Sequence, residues 1–183
     1  FGGPGIPLDE SLRKDIIEQV DTFIHGMGEQ ALMDSLKNKI NGIKNPKNIT
    51  VPMKSLDNIP GPYTSGLFDE ILEKEGTMRA TLETNRGCPF PCTFCDWGSV
   101  AYKKLLKFPI EKIKKEIKWL SDNKIKTLNI ADANVGIFAE RDEEWLMELV
   151  KYQKETGYPK SADAAWYKNS SERIIQLAKK TQV

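Results

Sequence analysis

The sequence predicts an α/β protein built on parallel strands, and three observations point there. From Met78 to Lys180, stretches with strand period and stretches with helix period follow one another as β-α-β-α-β-α. Alternation of this kind argues a parallel sheet with helices on the outside. An earlier segment, residues 8–40, reads α-β-α, the closing portion of another alternating domain. Third, the polar residues able to do chemistry fall at the C-terminal ends of the later strands, the rim where such folds collect ligands.

Bulk properties narrow the function classes. The chain has 183 residues and a formal net charge of +1, so no strong steering of nucleic acid or acidic substrates follows. No apolar run reaches the roughly 18 residues that a membrane span needs. The start, Phe1-Gly2-Gly3-Pro4-Gly5, is neither basic nor followed by an apolar stretch, unlike a secretory signal. It lacks Met and reads as the end of a missing strand. Clustered thiols without spare pairs fit a reducing cytoplasm.

In chain order, Phe1 to Pro7 is expected to be a strand tail and a Gly/Pro turn. Leu8 to Gln19 is weakly helical, with Leu12, Ile16 and Ile17 spaced for one face. Val20 to His25 reads as a short strand, ending at Gly26-Met27-Gly28-Glu29. From Glu29 to Ile40, Leu32, Met33, Leu36 and Ile40 repeat as one helix face. His25, the lone histidine, is expected to be a hydrogen-bonded structural residue. Gly42 to Asp57 has no sustained period and reads as a connector. Next comes Ile59-Pro60-Gly61-Pro62-Tyr63-Thr64-Ser65-Gly66-Leu67-Phe68-Asp69, stiffened by prolines and anchored by Tyr63, Leu67 and Phe68.

Met78 to Thr84 alternates, with Met78, Ala80 and Leu82 on one face. Pro109 opens a helix whose buried face is Ile110, Ile113, Ile117 and Leu120. The lysines and glutamates from Glu111 to Lys118 are expected to be its solvated side. Ile125 to Ala131 is the second strand, ending at Asp132-Ala133-Asn134. Glu140 to Glu155 is a helix with acidic residues where the dipole favours them, stopped by Gly157 and Pro159. Ser161 to Tyr167 is a third strand, and Asn169 or Ser170 caps a last helix through Lys180.

All three cysteines lie in one window, Cys88-Pro89-Phe90-Pro91-Cys92-Thr93-Phe94-Cys95. Its two prolines exclude a continuing helix, and Gly87 lets a strand break into a loop. Three thiolates converging on one centre would select zinc, copper(I) or an iron–sulfur cluster. Structural zinc wants four protein ligands, but there is no fourth cysteine, and His25 lies 63 residues upstream of Cys88. An iron–sulfur cube usually takes four cysteines, so three leave one iron open to a small molecule. The open cluster is the preferred reading. Zinc with an external ligand, and a disulfide with one thiol left over, are the alternatives.

Here the chain resembles the radical S-adenosylmethionine (SAM) superfamily, whose signature is C-x₃-C-x-aromatic-C. The matching run is Arg86-Gly87-Cys88-Pro89-Phe90-Pro91-Cys92-Thr93-Phe94-Cys95-Asp96-Trp97-Gly98. The resemblance implies a [4Fe–4S] cluster on Cys88, Cys92 and Cys95, with SAM chelating the fourth iron through its amino and carboxylate groups. It places Phe94 near the adenine. It also implies reductive cleavage of SAM to a 5′-deoxyadenosyl radical, and an electron donor such as flavodoxin or ferredoxin. The family often has Gly-Gly-Glu after the second strand to contact the SAM amine. Asp132-Ala133-Asn134 stands in that place, so the contact would fall to Asp132 or Asn134.

The earlier segment resembles the end of a cobalamin-binding domain of the kind fused upstream of radical SAM barrels. There Gly2-Gly3 would lie by the cobalamin nucleotide tail, and residues 59–69 resemble the P-x-P-Y-x-x-G linker between the two domains. The implied architecture is the C-terminal part of a Rossmann-like cobalamin-binding domain (1–41), a linker (42–76), and the first three β/α units of a partial TIM-type radical SAM barrel (77–183). Three units cannot close a barrel, so the chain is expected to be truncated at both ends and not to act alone. The implied activity is radical chemistry on an unactivated carbon of a small-molecule or peptide substrate, as cobalamin-assisted methyl transfer or rearrangement. A cobalamin-independent radical SAM enzyme and a zinc-stabilised binding module are the alternatives. No membrane or nucleic-acid partner is expected.

Overall fold

A computed structural model describes residues 1–2, 6, 9–52, 54–95, 104–169, 171–181 and 183. The chain divides into two units, Phe1–Lys54 and Ser55–Val183.

In the first unit a 3₁₀ turn, Glu10–Arg13, runs into the short helix α1, Lys14–Ile17. Strand β1, Phe23–His25, precedes helix α2, Glu29–Ile40, and β1 pairs in parallel with β2, Asn48–Thr50. Gly2 bridges Ile24 in parallel, and the Ile24 N–H donates to the Phe1 carbonyl at 2.8 Å, so the start of the chain runs as a third extended segment beside β1. Strand β2 lies inside the stretch expected to be a connector. Its three residues are too few to show a period, and pairing with β1 is what makes them a strand.

Burial in this unit departs from the periodicity in two places. Leu12, Ile16 and Ile17 stand at helical spacing, yet the buried residue is Arg13, and Leu12 is exposed. The Arg13 guanidinium lies 4.6 Å from the centroid of the Phe23 ring and donates to Asn48 Oδ1 at 2.8 Å, so its charge is partnered beneath a flat apolar stem. In α2 only Ala31 is buried, and Leu32, Met33, Leu36 and Ile40 are all exposed. Among the described residues of this unit, two three-residue strands offer too little surface to cover that stripe. His25 is buried and lies 3.2 Å from Asn48 Oδ1, the structural role expected of it.

The second unit opens on the proline-rich strip and helix α3, Asp69–Glu75, followed by strand β3, Arg79–Leu82. A two-residue strand β4, Asn85–Arg86, pairs antiparallel with β5, Leu106–Lys107. Then follow α4 (Ile110–Asp122), β6 (Thr127–Val135), α5 (Ala139–Thr156), β7 (Ser161–Trp166) and α6 (Glu172–Thr181). β3, β6 and β7 form a parallel sheet in that order, with Ala80 opposite Leu128 and Leu128 opposite Ala162. This is the β-α-β-α-β-α order that alternation implied. Pro109 is the residue before α4, and Gly157, at φ 80°, ends α5 in the left-handed conformation that favours glycine. Ser170, one of the two residues expected to cap α6, lies outside the described residues.

The strip before β3 is fastened to α4 by a residue assigned to the solvated face. Glu116 is 1 % exposed. Its carboxylate accepts from the Tyr63 and Thr64 N–H groups, each at 3.1 Å, and from the Thr64 hydroxyl at 2.6 Å. It sits three residues after Ile113, at the edge of the apolar stripe, and the backbone donors brought to it make burial tolerable. Tyr63, 3 % exposed, stacks on Trp119 at 5.2 Å. Its hydroxyl donates to the Thr81 carbonyl at 2.9 Å and accepts from the Thr81 N–H at 2.8 Å. Thr81 lies on edge strand β3, so one phenol satisfies the backbone pair that an edge leaves open.

Candidate metal centre

β3 points its C-terminal end at the cysteine loop. Gly87 has φ 105°, a left-handed value that turns the chain out of β4 directly before Cys88. The β4–β5 pair, with the Phe108 N–H donating to the Thr84 carbonyl at 3.0 Å, brings the two ends of the loop back together. Neither short strand has a detectable period, so sequence reading missed this clamp. Asp96, Trp97 and Gly98 of the motif lie outside the described residues.

The three cysteines are free thiols, so a disulfide is absent; Cys88 is buried, while Cys92 and Cys95 are half-buried. The Cys95 N–H donates to the Cys92 carbonyl at 3.2 Å, folding that end of the loop into a turn. Two sulfurs receive donors from the neighbouring strands. The Asn134 side-chain amide donates to Cys88 Sγ at 3.2 Å, and the Lys168 ammonium donates to Cys92 Sγ at 3.0 Å. Asn134 lies on β6 and Lys168 just past the end of β7, so the ends of all three parallel strands meet at one rim. The hydrogen bond to Cys92 holds the Lys168 ammonium more firmly protonated than an ordinary lysine.

β6 carries Leu128 and Ile130, then Asp132 and Asn134 in the stretch where its pairing with β7 shifts register. All four are buried. Asp132 is filled from within the protein. It accepts from the Thr84 N–H at 2.7 Å, the Asn85 N–H at 3.1 Å, the Asn85 amide at 2.7 Å, and the Thr84 hydroxyl. At 2 % exposure its carboxylate is committed to the corner that launches the cysteine loop. Asn134 differs. Its Oδ1 is buried with no hydrogen-bond partner, beside the amide nitrogen that touches Cys88. An orphaned buried acceptor at a ligand rim calls for a donor from outside the described residues.

Beneath this corner lies a network that the sequence did not announce. Arg141 donates to the Thr84 carbonyl and hydroxyl, both at 2.9 Å, and pairs with Asp142 at 2.6 Å. Asp142, fully buried, also accepts from the Gly136 and Phe138 N–H groups at 2.9 and 3.0 Å. It was expected to serve the helix dipole; it also ties the β6–α5 turn to the β3 end.

Burial pushes the Asp132 carboxyl from its ordinary 3.8 up to about 6, against the downward pull of the Thr84 hydroxyl and the Thr84 and Asn85 N–H groups. A carboxyl with a raised folded value binds its proton more readily in the fold than in the unfolded chain. Its contribution to stability is therefore complete below about pH 4 and is lost as pH rises through about 6, roughly 3 kcal/mol in all. Urea unfolding of wild type and Asp132→Asn across pH 4–7 should show the wild-type advantage shrinking by that order as pH rises. A constant gap would contradict it.

Phe94 is 88 % exposed, and the Lys168 ammonium lies 5.8 Å from its ring centroid and 5.7 Å from that of Phe90. Gly2 lies at the β1 edge of the other unit, and Gly3 is outside the described residues. Among the described residues, no three His, Cys, Asp or Glu side chains are arranged to hold a single metal ion. A cube asks something different of the same thiols, because each sulfur binds its own iron. The donor set is soft and all-sulfur, and two of the sulfurs already receive N–H donors, as cluster-bound thiolates do. These residues fit an iron–sulfur cluster.

No family model matches the chain. It is 32 % identical over 200 aligned positions to the cobalamin-dependent radical SAM methyltransferase TokK of Streptomyces tokunonensis, covering 97 % of this chain and 29 % of that protein. The chain is a homologue of the cobalamin-dependent radical SAM methyltransferases. The 2-(S-pantetheinyl)-carbapenam-3-carboxylate methyltransferase of Streptantibioticus cattleyicolor is equally similar, at 32 % identity over 97 % of this chain and 29 % of its own length. The chain thus spans under a third of the curated relatives it matches. Among solved structures, the radical SAM methyltransferase TsrM from Kitasatospora setae, with cobalamin and a [4Fe–4S] cluster bound, superposes with a TM-score of 0.64 at 12 % identity. The match covers 98 % of this chain and 40 % of TsrM. The cobalamin-dependent radical SAM enzyme OxsB, with aqua-cobalamin bound, gives 0.56 at 17 % identity over 91 % of this chain and 27 % of its own. These likenesses show a mixed α/β fold with parallel strands, shared with proteins that differ widely in sequence. Among the described residues, no helix is long and apolar enough to cross a membrane.

Proposed function

We propose that the protein carrying this chain is a cobalamin-dependent radical SAM enzyme that transfers a methyl group to, or rearranges, an unactivated carbon of a small-molecule or peptide substrate. In this reading residues 1–41 close a Rossmann-like cobalamin-binding domain, and residues 77–183 are the first three β/α units of a TIM-type barrel. The observation that carries it is the rim: three free thiols at the end of β3, with Asn134 of β6 and Lys168 beyond β7 donating to two of them.

When bound, the cluster and SAM supply reductive cleavage of the sulfonium, and cobalamin supplies the methyl carrier. Everything else falls to side chains. Cys88, Cys92 and Cys95 would hold the cluster, with one iron open to SAM. Asn134 Oδ1, buried and unpartnered, would accept an N–H from the amino group of SAM. Asp132 does not share that task, because Thr84 and Asn85 occupy it; its part is to fix the loop's departure angle. Phe94 offers an open ring face for the adenine. Gly2, at the β1 edge, would lie by the cobalamin tail, as the family likeness implies for the Gly2-Gly3 pair. The electron comes from a donor such as a flavodoxin or ferredoxin, in the reducing cytoplasm that free thiols suit.

The test is reconstitution of the full-length protein with iron and sulfide, followed by reduction with SAM present. Formation of 5′-deoxyadenosine is the expected result, with methylated product appearing only when cobalamin is supplied. A reduced, intact cluster that leaves SAM uncleaved would overturn the proposal. Undiminished turnover without cobalamin would select the cobalamin-independent enzyme, and zinc at one per chain without iron or sulfide would select the binding module.

A further inference from the structure

Lys168 has no part in the chemistry set out above. Its surroundings hold it in place. The preceding residue, Tyr167, donates its N–H to the Val135 carbonyl at 2.9 Å, and its ring packs against Phe90 at 5.7 Å. The ammonium then reaches Cys92 Sγ at 3.0 Å, within cation–π range of both Phe90 and Phe94, the aromatic residues that flank Cys92 in the loop. Three contacts on one loop keep a full positive charge beside one thiolate ligand. Asn134 gives Cys88 a hydrogen bond without a charge.

We propose that Lys168 tunes the reduction potential of the cluster, raising it so that the resting centre accepts its electron from a physiological donor. This rests on the reading of Cys88, Cys92 and Cys95 as cluster ligands. Reduction adds one electron to the cluster and neither makes nor breaks a bond. The reduced form carries one more negative charge than the oxidised form, so a fixed ammonium at a ligand sulfur stabilises it the more of the two. Net charge, hydrogen bonds to sulfur and solvent exposure are the levers that set such potentials. Lys168 supplies the first two at one atom.

The experiment is an EPR-monitored redox titration of the reconstituted full-length protein, without SAM or substrate, with iron and sulfide counted in each sample. Lys168→Met should titrate at a more negative potential than wild type, and Lys168→Glu more negative still. Lys168→Arg, which keeps charge and donor, should stay near wild type. Where Lys168→Met binds less iron, Lys168→Gln, which keeps a donor but no charge, is titrated in its place and should also shift negative. Uncharged variants that titrate at the wild-type potential would overturn the proposal. Wild-type protein that takes up no iron and sulfide would instead overturn the cluster reading beneath it.

Discussion

Cys88→Ala in the full-length protein is expected to bring bound iron and acid-labile sulfide down to background after reconstitution, with the brown cluster absorbance lost. Cys88 is the most buried of the three thiols and the one that accepts from Asn134. Its removal takes a ligand from one iron and the acceptor from a buried amide. Outer partners of metal ligands cost about 10–100-fold in affinity when removed, and a ligand itself should cost more than the upper end of that range. Fold loss is separable from cluster loss here. Cys88 sits in a loop, the β3–β6–β7 sheet does not include it, and far-ultraviolet circular dichroism should be close to wild type. Asn134→Leu is the graded companion, expected to load cluster weakly rather than not at all. A Cys88→Ala protein that holds iron and sulfide at the wild-type ratio would remove Cys88 from the ligand set.

Gly61→Ala should be among the most damaging single-methyl additions in the chain. A Cβ at Gly61 would lie 2.0 Å from Glu116 Oε1 and 2.5 Å from the Thr64 hydroxyl oxygen, closer than any real contact. The carboxylate that must yield is the one holding the Tyr63 and Thr64 N–H groups. Displacing it strands buried donors and an unpaired charge, a loss of about 3–5 kcal/mol. Glu116→Ala removes the acceptor directly and should cost about 2–4 kcal/mol. Both substitutions break the same attachment, so Gly61→Ala/Glu116→Ala should cost much less than the two losses added together. Urea unfolding of the four proteins measures the cycle. Simple additivity would show that Gly61 and Glu116 act separately and that the close approach is relieved elsewhere.

Glu116 also shows where sequence reading reaches its limit. It belongs to a run of charges that any periodicity analysis assigns to solvent, and most of that run is indeed outward. What buries it is a pair of N–H groups 52 and 53 residues away. The apolar stripe of α2 errs in the opposite sense, because period shows which residues share a face but not whether a second layer arrives to cover it. Asp132 and Asn134, two residues apart on one strand, looked interchangeable as ligands for an ammonium. The structure separates them: one carboxylate is saturated by Thr84 and Asn85, and one amide oxygen is left without a partner.

By itself the sequence determined the alternation of strands and helices after Met78, the gathering of three cysteines in one proline-broken loop, and the glycines that turn the chain at Gly87 and Gly157. These are local properties, set by side-chain period, covalent spacing and allowed backbone angles over a few residues. Only the tertiary structure decided which polar groups are spent inside the protein and which stay available. Lys168 meets Cys92 across 76 residues, and Asn134 meets Cys88 across 46. Such pairings arise when parallel strands align their C-terminal ends, and no window along the chain contains both partners.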